Sequence, residues 1–377
     1  MSKYPITSQA RLATRLSFFV AGFCMACCAP LFPFIKENVG ADEKQFGLLL
    51  LYFGLGSIIA MPITGFLAAK QGSKSMVLLG GFGLIVFLPV LTIAESSVIL
   101  GFSLFIFGAS LGTIDVAMNI HGVEVETLEK RSLMSNFHAQ FSIGGLIGAG
   151  LMTLLLFVGV SIAIAPFVGA TVALLAMIFA ASRLLNVSTS VETPFVFPRG
   201  IVLLLALLAA ISFLVEGAVL DWGALLVIDR QLAGPQSAGI GYILFSAAMV
   251  IARLTGDRIV GIFGEFWVLI SGGIITILGI LVILVSTFPS LALIGFILIG
   301  LGSANLVPIF FSAAGRQTVM PASLAIASVT TTGYAGVLIG PAMMGFTADI
   351  LSLSVAFWLL ALIVVFIPLT AGLVAKK

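Results

Sequence analysis

Asp115 is the residue of this chain best placed to handle a proton. It follows nineteen uncharged residues, Ser96–Ile114. A carboxylate held centrally in an apolar span costs about 2.5–3.5 kcal/mol on insertion scales, and such acids usually face a wet cavity on an ion or proton path. A buried carboxylate can also bind and release a proton at working pH. The alternative is a structural acid held by a basic neighbour. Asn119 lies four residues on and so shares the same helix face. It would hydrogen-bond a solute, hold the carboxylate, or serve as interhelical glue.

Glu216 is the second acid set among apolar residues, with Asp221 and Trp222 just beyond it. Asp221 reads either as an extracellular gate or as a ligand to solute. Trp222 reads as an interfacial anchor or as a binding residue. Asp115 in the inner half of one helix and Glu216 in the outer half of another would give two stations of a proton path. His121 and His138 are the chain's two histidines. Imidazole titrates near neutrality, but both fall close to predicted cytoplasmic loops, which favours packing or gating over a relay. Asn305 with Pro308, and Tyr334 with Thr330, Thr331 and Thr332, offer further polar contacts to a solute.

Other charges cluster where loops are expected. Lys70 and Lys74 are expected to pair with Glu124 or Glu126, and Asp257 and Arg258 with Arg316 suggest a matching latch. Exposed pairs contribute only about 0–1 kcal/mol each, which suits contacts that must open. Cys24, Cys27 and Cys28 share one helix face. A thiolate metal site needs further ligands and deprotonation, so small apolar packing is the reading. No metal site and no catalytic residue is expected. There is no zinc-protease signature, phosphate loop or nucleotide-binding domain, so no cofactor is expected and the energy source would be a proton gradient.

The elements that must position these residues follow from composition. Of 377 residues, 60% are apolar and 8% charged, and mean hydropathy is +1.26. Average soluble domains carry roughly 25% charged residues. That excludes a soluble enzyme, a disordered chain and a nucleic-acid binder, which needs a basic patch. A helix needs roughly 20 apolar residues to cross a bilayer. Charge-free stretches at Ser17–Ile35, Phe46–Ala69, Ser75–Ala94 and Ser96–Ile114 each fit one helix. Ser132–Ser182 holds two, broken near Gly159–Ser161. Gly200–Val215 opens a seventh that runs on to Trp222, and Gln231–Ala252 is the eighth. Phe266–Gly315 holds two, broken at Thr287–Ser290; Gln317–Ala348 and Ile350–Ala375 complete twelve. The expected fold is all-α and transmembrane. No alternating ten-residue barrel pattern appears.

Charge asymmetry supports the count. With a cytoplasmic N-terminus, fourteen Lys and Arg fall inside and three, Lys36, Lys44 and Arg230, outside; a missed helix would destroy this positive-inside pattern. Both termini are expected in the cytoplasm, with no cleavable signal peptide. Residues 186–199, with Pro194 and Pro198, read as a cytoplasmic linker between six-helix bundles at 1–185 and 200–377.

The halves share punctuation. Gly65 to Lys74 follows helix two, and Gly256-Asp257-Arg258 to Gly264 follows helix eight. Helix five has Gly144, Gly148 and Gly150; helix eleven has Gly336, Gly340 and then Pro341, where a bend is expected. Asn119 ends helix four after Gly108 and Gly112, and Asn305 follows Gly300 and Gly302 in helix ten. Small residues spaced by four let helices approach closely. Repeated halves with a site at their interface are the design of secondary transporters.

With these motifs the chain resembles the major facilitator superfamily. Gly256-Asp257-Arg258 with Gly264 looks like its cytoplasmic loop signature, and the first loop is a degenerate copy with Ala69 in place of Asp. Phe107 to Gly112, Asp115 to Asn119, His138 with Ser142, and Glu216-Gly with Asp221-Trp222 resemble the YbjJ-type inner-membrane proteins, which are similar to the fucose permease branch. The resemblance implies a multi-pass protein of the bacterial inner (plasma) membrane working by alternating access. It also implies a proton-coupling role for Asp115, matching that branch's Glu-x-x-x-Asn. The branch's second acid, in helix one, has no counterpart in Cys24–Ala29.

The expected partners are a small-molecule solute and the lipid bilayer, with no nucleic acid, no obligate protein partner and a monomeric state. Arg15 and Arg253 fall near the expected cytoplasmic helix ends, leaving no mid-membrane cation to clamp an anion; a neutral or cationic solute is therefore expected, with a sugar favoured by the resemblance. Three classes compete: a proton symporter, a proton antiporter exporting sugars or amphipathic compounds (the 31 Phe would suit these), and an intramembrane enzyme, which lacks a clustered nucleophile and base.

Overall fold

The computed structural model describes residues 4–41, 43–186, 197–232 and 240–375. All regular structure among these residues is helical: α1 (Tyr4–Cys27), α2 (Phe32–Asn38), α3 (Glu43–Gln71), α4 (Ser73–Ile93), α5 (Ser97–Glu129), α6 (Met134–Phe157), α7 (Ala165–Ala181), α8 (Ile201–Asp229), α9 (Ile240–Val285), α10 (Pro289–Ser303), α11 (Leu306–Arg316), α12 (Ala322–Ile350), α13 (Leu353–Val364) and α14 (Phe366–Val374). In hydrocarbon every backbone polar group must be satisfied internally, and helices do this within one segment.

Nine helical stretches among the described residues are long and apolar enough to cross a membrane. One, α9, spans 46 residues and bends back at Gly264, whose φ of 78° lies outside the helical range; it makes two crossings. With the shorter apolar α7 and the 29-residue α12, the crossings number twelve. The chain is thus an all-helical, multi-pass membrane protein.

The expected loops are shorter than the sequence suggests. Gly65–Lys74 is helical apart from Gly72, at φ 84°, and Gly256–Gly264 continues α9. Charged residues there end the apolar run without ending the helix, because backbone hydrogen bonding continues into the aqueous layer. Glycine at the two turns supplies the positive φ that an L side chain resists. The same effect moves the end of α5 from the expected Asn119 to Glu129, where Lys130 adopts a left-handed conformation. At about 1.5 Å per residue, α5 is about 50 Å long, more than the roughly 30 Å hydrocarbon layer. The helix starts are set by caps: Ser96 accepts from the Ile99 N–H at 3.3 Å, and Ser352 from Val355 at 3.2 Å.

Contacts divide the chain into two compact units. The first comprises Met1–Lys130, Phe137–Phe197 and Pro321–Ala327; the second comprises Arg131–Asn136, Pro198–Met320 and Ser328–Lys377. In the first, α5 packs on α1, α3 and α4. Gly56 and Gly108 let α3 and α5 touch backbone to backbone, since a Cβ on either would collide with the carbonyl of Phe105 or Phe53. The Ser57 hydroxyl donates to the Gly108 carbonyl at 2.8 Å across the same seam. Gly144 and Gly148 do the same for α6 against the Phe19 and Phe23 carbonyls of α1. In the second unit α9 packs on α10, α13 and α14, and α8 on α11. Gly336 lets α12 approach α8, where a Cβ would stand 2.6 Å from the Ala210 carbonyl. Pro194 of the expected linker, the Pro341 side chain expected to bend helix eleven, and Lys3, Lys376 and Lys377 lie outside the described residues.

Candidate functional site

Asp115 is the nineteenth of thirty-three residues in α5, so the lengthened helix sets it near mid-span. It is buried, with 8% of its surface exposed. The Asn119 amide donates to the Asp115 carbonyl at 2.9 Å and reaches one carboxylate oxygen at 3.4 Å. Asp115 makes no ion pair among the described residues. Asn119 is fully buried, and its carbonyl oxygen has no hydrogen-bond partner there. Asn119 therefore steadies Asp115 and keeps one buried acceptor without a partner among the described residues.

His121, expected near a solvated loop, is fully buried because α5 runs eight residues beyond it. Its Nε2 accepts the Leu185 N–H at 2.8 Å, which puts the ring proton on Nδ1, 2.8 Å from the Thr14 hydroxyl; Thr14 in turn donates to the Ala10 carbonyl at 2.9 Å. This closed chain ties α1, α5 and the end of the first bundle with a neutral ring. His138, half-buried near the start of α6, stands edge-on to Phe18 at 5.2 Å between ring centroids.

In the second unit Glu216 is the sixteenth of twenty-nine residues in α8, at mid-helix rather than in the outer half. Its Oε1 accepts from Arg253 Nη2 at 3.1 Å. Arg253 was expected near a cytoplasmic helix end. It stands fourteen residues into α9, whose first limb continues to Gly264, so it too is at mid-helix and buried. The guanidinium Nε also donates to the Ala304 carbonyl at 3.2 Å, which is exposed by the break between α10 and α11. This overturns the premise that the second unit holds no mid-span cation. A helix-length count from Ile240, rather than the end of the apolar run, would have found it.

Asn305 occupies that helix break. Its amide reaches the Ala252 carbonyl at 3.5 Å, and its carbonyl oxygen is buried with no partner among the described residues. Ser212, four residues before Glu216 and on its face, also has a buried hydroxyl without a partner; the sequence reading missed it. Tyr334 stands edge-on to Phe213 at 6.3 Å. Asp221 is exposed, while the neighbouring Trp222 packs against Gly345 with its indole nitrogen buried and unpartnered among the described residues. That departs from a simple interfacial anchor, whose N–H faces water.

The expected latch of Lys70 and Lys74 is rewired. Lys70 lies over the Phe66 ring at 4.4 Å and is exposed. Glu124 takes a 2.7 Å hydrogen bond from Ser73 rather than an ion pair with Lys70 or Lys74. Glu126 keeps contacts of its own. Glu129 pairs with Arg11 at 3.0 Å, a contact the sequence did not suggest. Arg316 pairs with Glu265 at 2.7 Å, and Arg258 is exposed. Asp257 accepts the N–H groups of Ser135 and Asn136, at 3.0 and 3.1 Å. These residues open α6 and cluster with the second unit, and an acid there satisfies N–H groups that the helix leaves free. Cys24, Cys27 and Cys28 are free and buried.

An apolar groove of about 480 Å³ opens along α8, α12, α13 and α14, lined by Leu207, Ile211, Leu214, Gly340, Met343 and Phe366 among others. It shares no residue with the Glu216–Arg253 pair.

Twelve crossings, two units and a mid-helix carboxylate in each define a polytopic transport protein. The chain belongs to the Major Facilitator Superfamily, whose family pattern it matches over residues 16–228. It is 44% identical over 368 residues to an uncharacterized MFS-type transporter of Yersinia pestis, covering 97% of this chain and 96% of that one. Its fold is similar to the human organic anion transporter MFSD10, with a TM-score of 0.82 at 15% identity over 98% of this chain and 99% of the other. It is likewise similar to the E. coli fucose:proton symporter FucP, with a TM-score of 0.78 at 16% identity over 97% and 98%. The protein is therefore a membrane-embedded secondary transporter and not an enzyme.

Proposed function

We propose that this transporter moves a small, hydroxyl-rich, sugar-like solute across a bacterial inner membrane by alternating access, in symport with protons. The observation that carries the reading is Asp115: a buried mid-helix carboxylate with Asn119 beside it and no ion pair among the described residues. Charging such a group in hydrocarbon is expensive, so it alternates between a protonated and a water-exposed state. The idle carbonyl oxygens of Asn119 and Asn305 suit solute hydroxyls as donors. The fucose:proton symporter of similar fold supports a sugar and a proton as cargo. The positive-inside pattern supports cytoplasmic termini, and a monomer without cofactor suffices.

A second reading, proton antiport exporting sugars or amphipathic compounds, has the apolar groove of the second unit in its favour. Solute added to loaded cells alkalinises the medium in symport and acidifies it in antiport. In proteoliposomes with an imposed pH gradient, wild type should accumulate its solute from a sugar and polyol panel while Asp115→Asn should only equilibrate it. Undiminished accumulation by Asp115→Asn would overturn the assignment.

A further inference from the structure

Lys70, Lys74 and Arg183 are three cations of the first unit that the transport reading does not use. Two hydrogen bonds to α5 bring them to one corner. Ser73 donates to Glu124 at 2.7 Å, and the Leu185 N–H donates to His121 at 2.8 Å. His121 and Glu124 are three residues apart and so neighbours on one face of α5. Lys74 adjoins Ser73, Lys70 lies just across the Gly72 turn, and Arg183 lies two residues before Leu185. The seam between α4 and α7 agrees. Gly81 meets Met177 and Gly169 meets Leu88, an antiparallel register that carries Lys74 to the Arg183 end of α7.

This corner sits at a membrane edge. At about 1.5 Å per residue, the 21 residues of α4, which opens at Ser73, match the roughly 30 Å hydrocarbon layer. Further into the layer, Leu79 of α4 and Leu175 and Ile178 of α7 are exposed, a surface suited to acyl chains. The three cations make no ion pair among the described residues. Neither α4 nor α7 carries an acid, and the acid of α3 is Glu43, at its opposite end. On α5, Glu124 is half-buried and holds the Ser73 hydroxyl, Glu126 keeps contacts of its own, and Glu129 pairs with Arg11.

The Arg183 guanidinium lies 3.6 Å from the centroid of the exposed Phe179 ring, and its Nη1 donates to the Phe179 carbonyl and to Ser182. Ring and carbonyl fix the plane of the group. Its Nε–Nη2 edge is left without a hydrogen-bond partner among the described residues, and such an edge matches two oxygens of one phosphate. Lys70 lies over the Phe66 ring at 4.4 Å, its stem along apolar surface and its ammonium free to reach the headgroup layer.

We propose that this corner binds the headgroup of an anionic phospholipid. Arg183 holds the phosphate through its open edge, Lys74 and Lys70 balance the headgroup charge, and the acyl chains lie along the apolar faces of α4 and α7. Those faces favour a lipid over a soluble phosphate. The inference goes beyond the transport reading and stands without it.

The test is native mass spectrometry of the full-length protein in detergent, titrated with phosphatidylglycerol and with phosphatidylcholine of the same acyl chains. Each cation at an anionic lipid surface is worth about a fivefold gain, so wild type should bind the first phosphatidylglycerol at least fivefold tighter. In Lys74→Gln/Arg183→Gln the preference should fall below twofold. Lys74→Arg keeps the charge and should keep the preference. Arg258→Gln removes an exposed cation of the second unit and should keep it as well. Neither Lys74 nor Arg183 is fully buried, so the variants should melt as wild type does; if the double variant does not, Arg183→Gln alone decides, with at least a twofold loss expected. Equal binding of the two lipids by wild type, a full preference in the folded double variant, an equal loss in Arg258→Gln, or displacement of the lipid by equimolar inorganic phosphate overturns the site.

Discussion

Each unit buries one carboxylate at the middle of a long helix, and the two are held in opposite ways. Asp115 of the first unit has an amide beside it and no ion pair among the described residues. Glu216 of the second is held by a buried guanidinium. An acid with no cation beside it gains or loses a proton without stranding another charge. A paired acid cannot do so unless something replaces it. The difference separates a buried acid with no ion pair among the described residues from one held in an ion pair.

The largest effect should come from breaking the pair on one side. Arg253→Gln strands Glu216 and should destabilise the protein by about 3–5 kcal/mol, read from thermal unfolding in nanodiscs, and the double Gln variant should recover most of it. Equal losses in single and double variants would show that the pair is not coupled. Asp115→Asn strands nothing, so its melting temperature should not fall.

The first unit's histidine sharpens the contrast further. His121→Ala leaves the Leu185 N–H without its acceptor and should cost about 1–3 kcal/mol, with no change in the pH profile of uptake because the ring is already neutral. A shifted profile would place His121 on the proton route. Gly108→Ala drives a Cβ into the Phe53 carbonyl and should cost about 1–3 kcal/mol through overpacking. Gly150→Ala on α6 meets nothing within 4 Å and should stabilise by up to about 1 kcal/mol through helix propensity. The smallest loss, about 1 kcal/mol, is expected for Asp257→Asn, which weakens a helix cap. Matched unfolding curves for these three variants check the order.

Much of this was legible in the sequence. Length of apolar runs and the Lys and Arg asymmetry gave twelve crossings, and the isolation of Asp115 in its run marked the first unit's acid with Asn119 one turn away. What the sequence concealed has one cause: charges were read as helix ends. α5 runs ten residues past Asn119, and α9 runs through Arg253, Asp257 and Arg258 to Gly264. Arg253 was therefore assigned to the membrane edge, and its contact with Glu216, 37 positions away, has no local signature. The Lys70 and Lys74 latch failed for a related reason. Long side chains near helix ends have several partners within reach, and for Glu124 the Ser73 hydroxyl won over the lysines of the same loop.

Infrared difference spectroscopy across a pH step tests proton binding at Asp115 most directly and needs no knowledge of the solute. Wild type in nanodiscs should show a carboxylic acid C=O band that appears on acidification, and Asp115→Asn should lack that band while Glu216→Gln retains it. An unchanged band in Asp115→Asn would contradict the assignment of the proton to this residue.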